Sequence, residues 1–184
     1  MTRLISFALI GVAVFATIVG NGGSAADARG LAPAACSPAR VQYAPYRGGD
    51  PQLARMPWVG GKPRRHGLVG LLWYWPTKWS DERLRTSRIF VGGHAPEGYS
   101  TKILWTFVAR SSIGAGGPSL RIRGTRLDAP GSFSQEFTAI SFAGQNGAPS
   151  YASIVNVPAA GCWRLDLLSG ELRAKVTLLA VDPA

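Results

Sequence analysis

The chain is poor in the residues that most often carry chemistry. Among 184 residues it has 2 Cys and 2 His. A zinc or other transition-metal site draws on several His or Cys at defined spacing, which His66 in "KPRRH" and His94 in "GGHAPEG" do not offer. They read as a solvated basic loop and a turn, so neither a metal nor a cofactor is expected. Acids are scarce as well: 10 Asp and Glu against 20 Lys and Arg leave a formal net charge of +10. Those acids (Asp50, Asp81, Glu82, Glu97, Asp128, Glu136 and others) are scattered and give no paired-carboxylate signal. No G-x-S-x-G elbow is present. The glycine-rich "GAGGPS" (114–119) lacks the lysine and following helix of a phosphate loop and reads as a hairpin loop. A catalytic triad would need His94 or His66 with distant partners. His94, Glu97 and Ser100 share one loop, which is not triad geometry. No enzyme is expected; the alternative from that class is an unrecognised hydrolase built on His94.

Long apolar runs are absent after the first twenty residues, because a charged residue interrupts each later one. Residues 1–28 read as a secretory signal peptide. Arg3 is followed by the apolar run Leu4 to Val19, and then by small residues ending in Ala26-Asp27-Ala28. The run is short for a membrane span, which needs about 20 apolar residues. Cleavage removes one Arg and one Asp, so the charge stays at +10. What remains, about 156 residues, is the size of one domain. Export carries Cys36 and Cys162 into an oxidising compartment, where pairing is the default. Closing so long a loop stabilises by roughly 4 to 5 kcal/mol. A second reading makes Cys36 the lipidated first residue of a lipoprotein, but Pro33 stands where a Leu is usual. A third leaves both thiols free.

Helical periodicity is also missing. Residues 29–66 form a Pro-, Gly- and Arg-rich arm, and residues 67–184 a chain of short strands. The runs are 67–75, 88–93, 101–109, 119–127, 133–140, 151–157, 162–168 and 171–181. This pattern predicts an all-β fold: a single antiparallel β-sandwich, Ig-like, with about seven to eight strands. Runs 67–75 and 101–109 are apolar on both faces and should be central and covered on both sides. In "SLRIRG", Leu120 and Ile122 face one way and Arg121 and Arg123 the other. A turn at Ser169-Gly170 pairs Leu167 with Leu172, Leu165 with Ala174 and Trp163 with Val176 on an apolar face. Asp166 then lies opposite Arg173, with Lys175 diagonal. Cys162 falls on the polar side, where it can catch an arm laid across the sheet.

The segments "GLVGLLW" (67–73), "LRIRGTRLDAPG" (120–131) and "PAAGCWRL" (158–165) resemble a family of uncharacterised secreted bacterial β-sandwich proteins. Its marks are an Ile-x-Gly-x-Arg-Leu-Asp segment and a C-terminal Gly-Cys-Trp hairpin. The resemblance implies a sandwich outside the cytoplasm, with no known activity and no catalytic residues. A weaker similarity is to chagasin-like cysteine-protease inhibitors, small secreted Ig-like domains. The loops "HAPEGYS" and "GAGGPS" and the Cys-Trp turn fall in the order of that family's three inhibitory loops, but its Asn-Pro-Thr-Thr-Gly and Arg-Pro-Trp loops are not reproduced.

What is abundant is positive charge. Half of the Lys and Arg fall between Arg40 and Arg88, a bias that attracts polyanions. Trp58, Trp73, Tyr74, Trp75 and Trp79 are interleaved with them. Trp73 and Trp75 share a face of one run and read as core; Trp58 and Trp79 read as exposed loop residues able to stack on a ligand. The candidate contact residues are therefore Trp58, Lys62, Arg64, Arg65, Lys78, Trp79, Arg83 and Arg85. The expected function is that of a secreted or envelope-associated binding or structural module. Its partner would be an anionic envelope polymer or lipid surface, not nucleic acid.

Overall fold

The computed structural model describes residues 36–46, 53, 55–75, 85–95, 97–109, 112, 114–140 and 149–183. The signal-peptide segment 1–28 lies outside the described residues. Nine strands form among them, in two sheets. They are β1 (Trp58–Gly60), β2 (Leu68–Leu72), β3 (Arg88–Phe90), β4 (Lys102–Phe107), β5 (Ser119–Arg126), β6 (Ser132–Thr138), β7 (Ser150–Ile154), β8 (Gly161–Ser169) and β9 (Leu172–Val181). A four-stranded sheet runs β1-β2-β4-β7 and a five-stranded sheet β3-β9-β8-β5-β6. The all-β, mostly antiparallel architecture matches the expectation from alternation. Eight strands coincide with the eight apolar runs. The ninth, β1, lies inside the segment read as an arm, and three residues between Pro57 and Gly61 are too few to show a period.

One pair departs from the antiparallel expectation. β3 runs parallel to β9, with Arg88 opposite Leu179 and Phe90 opposite Val181. Parallel neighbours need a long crossover, and here β4 through β8 intervene. A single run carries no sign of its partner's direction.

The inward faces meet in one core. Trp105, Phe107, Ile103 and Tyr151 come from the four-stranded sheet, and Leu120, Ile122, Trp163, Leu165, Leu167, Val176 and Leu178 from the five-stranded sheet. Trp163 is 1% exposed; burying a side chain of that size contributes roughly 3 kcal/mol or more. β2 and β4 are buried along nearly their whole length, as their continuous apolar runs predict. Their outward residues Val69, Leu71 and Leu104 form a second cluster with Tyr46, Leu53 and Met56.

The closing hairpin corrects the expected register. Ser169 pairs with Leu172, Leu167 with Ala174, Leu165 with Val176 and Trp163 with Leu178. The two-residue turn is therefore Gly170-Glu171, not Ser169-Gly170. Gly170 has φ of +54°, and glycine in the first central position is the preference of a II′ turn. A shift of two residues leaves every side chain on its own face, because the side-chain period is two. The apolar face survives the correction, and Asp166 lies opposite Lys175 instead of Arg173.

"GAGGPS" is also corrected. It carries the chain from β4 in one sheet to β5 in the other, so it is a crossover and not a hairpin loop. It docks on the β8–β9 turn, where the Glu171 N–H donates to the Ala115 carbonyl at 3.0 Å. The Ser169 hydroxyl accepts the Gly117 N–H at 2.8 Å, and the Tyr151 hydroxyl donates to the Gly117 carbonyl at 2.7 Å. Burial raises the Tyr151 phenol pKa, a shift the Ser169 hydrogen bond partly offsets.

Candidate functional site

The segment after β5 and the start of β8 meet in a latch around the disulfide. Cys36 and Cys162 are disulfide-bonded, with Cα atoms 5.7 Å apart. Cys162 alternates away from Trp163 and belongs to neither core cluster, yet it is 1% exposed. The Asp128 carboxylate accepts the Cys162 N–H at 3.1 Å and the Arg126 Nε–H at 2.8 Å. The Leu127 N–H donates to the Cys162 carbonyl at 2.8 Å. Desolvation pushes the Asp128 pKa up, but the hydrogen bonds from Arg126, Cys162 and its own backbone outweigh it and hold the carboxyl below its ordinary value. A Cβ on Gly124 would meet the Phe133 ring at 2.0 Å, and one on Gly161 the Asp128 carboxylate at 2.6 Å. Gly124, Arg126 and Asp128 thus each have a packing or hydrogen-bonding reason.

The outer face of the five-stranded sheet is different in kind. Alternation places Arg121 and Arg123 of β5, Arg164, Asp166 and Leu168 of β8, and Arg173 and Lys175 of β9 on that side. Register sets them in rows. Arg123 lies opposite Asp166, Asp166 opposite Lys175, and Lys175 opposite Lys62 across an isolated bridge. The neighbouring row is Arg121, Leu168 and Arg173. Lys62 is fixed there by its backbone: its N–H donates to the Lys175 carbonyl at 2.9 Å and the Lys175 N–H returns to it at 2.7 Å. The short 3-10 turn Arg64–His66 follows, and the His66 Nδ1 accepts the Arg173 N–H at 3.1 Å. The basic run 62–66 is therefore sewn to the strand that carries Arg173 and Lys175.

Between these side chains lies a groove of about 300 Å³, lined by Lys62, Pro63, Arg123, Asp166, Leu168, Arg173 and Lys175, among others. Its one carboxylate is already engaged: Asp166 meets Lys175 Nζ at 3.2 Å and Arg164 Nε at 3.3 Å. Arg121 is paired with Glu136 at 3.5 Å outside the groove. Among the described residues, no carboxylate pairs with Lys62, Arg123 or Arg173. Three unopposed cations around a half-buried Leu168 make a surface that attracts anions.

The expected contact residues divide. Lys62, Arg64 and Arg65 stand at this groove or on the turn beside it. Arg85 lies over the Tyr43 ring, its Cζ 4.6 Å from the centroid. Lys78, Trp79 and Arg83 lie outside the described residues. Trp58 is not a free loop residue: it sits in β1, donates to the Ala44 carbonyl at 2.7 Å and packs edge-on against Tyr46. Trp73 and Trp75 do not share a face, because β2 ends at Leu72. Trp75 is fully buried while Trp73 is 44% exposed, with Lys102 Nζ 5.7 Å from its ring. Arg123, Arg173 and Lys175 were absent from the expected contacts, although their alternation was visible.

His94 and Ser100 face each other across an isolated antiparallel bridge. His94 is exposed, and its Nδ1 lies 2.9 Å from the Gly92 carbonyl. Among the described residues, no three His, Cys, Asp or Glu stand close enough to hold a metal ion, and no helix is long and apolar enough to cross a membrane. The three inhibitor-like loops are not brought together. "GAGGPS" docks where β8 ends, the Cys-Trp turn is where β8 begins, and Gly92, ahead of "HAPEGYS", bonds to Val157 near that beginning. The chain matches no family model, no curated protein and no solved structure.

Proposed function

We propose that the protein is a non-enzymatic binding module that works outside the cytoplasm and holds an anionic polymer of the cell envelope. The observation that carries this reading is the groove with Lys62, Arg123 and Arg173 unopposed around it. Export is supported by the pattern of residues 1–28 and by a disulfide, the bond of an oxidising compartment. A polymer is favoured over a bilayer because the exposed large apolar side chains lie elsewhere. Among the described residues, Trp73 directly follows β2 and Ile154 ends β7 of the four-stranded sheet, and Tyr99 precedes β4, so none of these three stands on the cationic strands.

The test is retention of the disulfide-bonded protein on immobilised anionic envelope polymers, anionic vesicles and neutral glycans, at low and high salt. Retention on the polymers that falls steeply as salt rises supports the reading, because exposed charges are screened beyond about 10 Å at 0.1 M. Equal retention on neutral glycans, or none on any anionic polymer, contradicts it.

A further inference from the structure

We infer that the groove is a seat for a phosphate group carried on a short organic chain, as in a phosphodiester-linked polyol polymer. This rests on the polyanion-binding reading and narrows it to one ligand chemistry. Its three unopposed cations come from three different stretches of chain: Lys62 from the segment bridged to β9, Arg123 from β5 and Arg173 from β9. The two charged oxygens of a phosphodiester stand tetrahedrally about phosphorus and out of line with its ester oxygens, so they can turn toward cations on different strands, whereas a carboxylate's two lie in one plane at the end of its chain. Two of the cations are arginines, whose planar forks take phosphate oxygens two at a time. Counting Lys62, Arg123, Arg173 and Lys175 against Asp166, the groove carries an excess of three positive charges, which favours a ligand with several anionic groups over one with a single charge.

The floor adds a second requirement. Leu168 lies between Arg121 and Arg173 in register, and it and Pro63 line the groove. They offer the linker carbons an apolar surface beside the charges. The rows of Lys175 and Arg173 are two residues apart on one strand, about 6.6 to 6.8 Å. A chain crossing both rows therefore places successive phosphates on separate cations, and a repeating ligand gains over a single phosphate by occupying both.

The experiment is calorimetric titration of the full disulfide-bonded chain with glycerol 3-phosphate, a glycerol-phosphate oligomer, an oligogalacturonate of equal charge and phosphatidylglycerol vesicles. The oligomer is expected to bind at least tenfold more tightly than glycerol 3-phosphate and than the oligogalacturonate. Arg123→Gln and Arg173→Gln should each weaken it about tenfold, while Lys102→Gln, the same charge change on the other sheet, leaves it within twofold. Oligogalacturonate binding as tightly as the phosphate oligomer overturns the phosphate seat but leaves the polyanion reading intact. Equal loss in Lys102→Gln overturns the seat in favour of diffuse charge. Vesicles binding more tightly than the oligomer overturn the polymer as its source. Binding of no anion at all removes both the seat and the reading beneath it. Unchanged far-ultraviolet circular dichroism of the three variants ensures that lost binding is not lost folding.

Discussion

On the four-stranded sheet, Val69, Leu71 and Leu104 point away from the central core and are still buried, packed with Tyr46, Leu53 and Met56. On the five-stranded sheet the corresponding outward positions are Arg121, Arg123, Arg173 and Lys175, all exposed. The fold thus covers one outer face with its own chain and leaves the other open. The cover is held by ordinary contacts: Trp58 bonded to Ala44, and Tyr46 packed against Trp58. The open face is bordered by Lys62 and the turn after it, both hydrogen-bonded to β9. A covered face contributes stability, and an open charged face contributes little of it. The difference separates what the fold needs from what a ligand could use.

Reversing the character of each face gives the largest expected contrast. Leu71→Arg places an unpaired charge in a fully buried site and should cost about 3 to 5 kcal/mol or prevent folding. Arg123→Leu on the open face should change stability by no more than about 0.5 kcal/mol. Denaturant melts of the two variants measure the pair, and similar losses in both would erase the distinction. Replacing Cys36 and Cys162 together by Ser should cost roughly 2 to 5 kcal/mol, read as a fall in the denaturation midpoint with a steeper slope, because the unfolded chain loses its cross-link and exposes more surface. Gly124→Ala comes next, at about 1 to 3 kcal/mol, because its methyl group must displace the Phe133 ring.

The smallest effect is a pH dependence. The Asp128 carboxyl has its pKa lowered in the folded protein, so it binds protons less readily folded than unfolded. Its stabilisation is present above the ordinary aspartate value of 3.8 and is lost as pH falls through the lower folded value. Asp128→Asn should flatten the acid limb of the stability curve while changing neutral stability by under about 1 kcal/mol, since the pair is partly exposed. An acid limb as steep in Asp128→Asn as in the unaltered protein would assign the sensitivity to another group.

How much of this was legible in the sequence follows the range of the interactions. Alternation in "SLRIRG" and in the closing hairpin placed Leu120, Ile122, Trp163 and Leu165 inside and Arg121, Arg123, Arg173 and Lys175 outside, because face depends only on neighbours two apart. The register missed by two, since the turn is decided by Gly170 accepting a positive φ and docking on Ala115. Continuous runs betrayed β2 and β4 as covered on both sides, but where β2 stops was not readable, so Trp73 was assigned to the core. The site was the least legible part. Its outward charges read as a wet face and the 62–66 run as a basic loop. What joins them is a pair of backbone hydrogen bonds between Lys62 and Lys175, a contact that leaves no mark in either stretch.

The open-face account is tested most directly by recording backbone amide chemical shifts while a glycerol-phosphate oligomer is titrated into the full chain. The account predicts shifts gathered on residues 62–66, 121–125, 164–168 and 173–177, diminishing as salt is added. Shifts gathered instead around Trp73, Lys102 and Ile154 on the four-stranded sheet would contradict it.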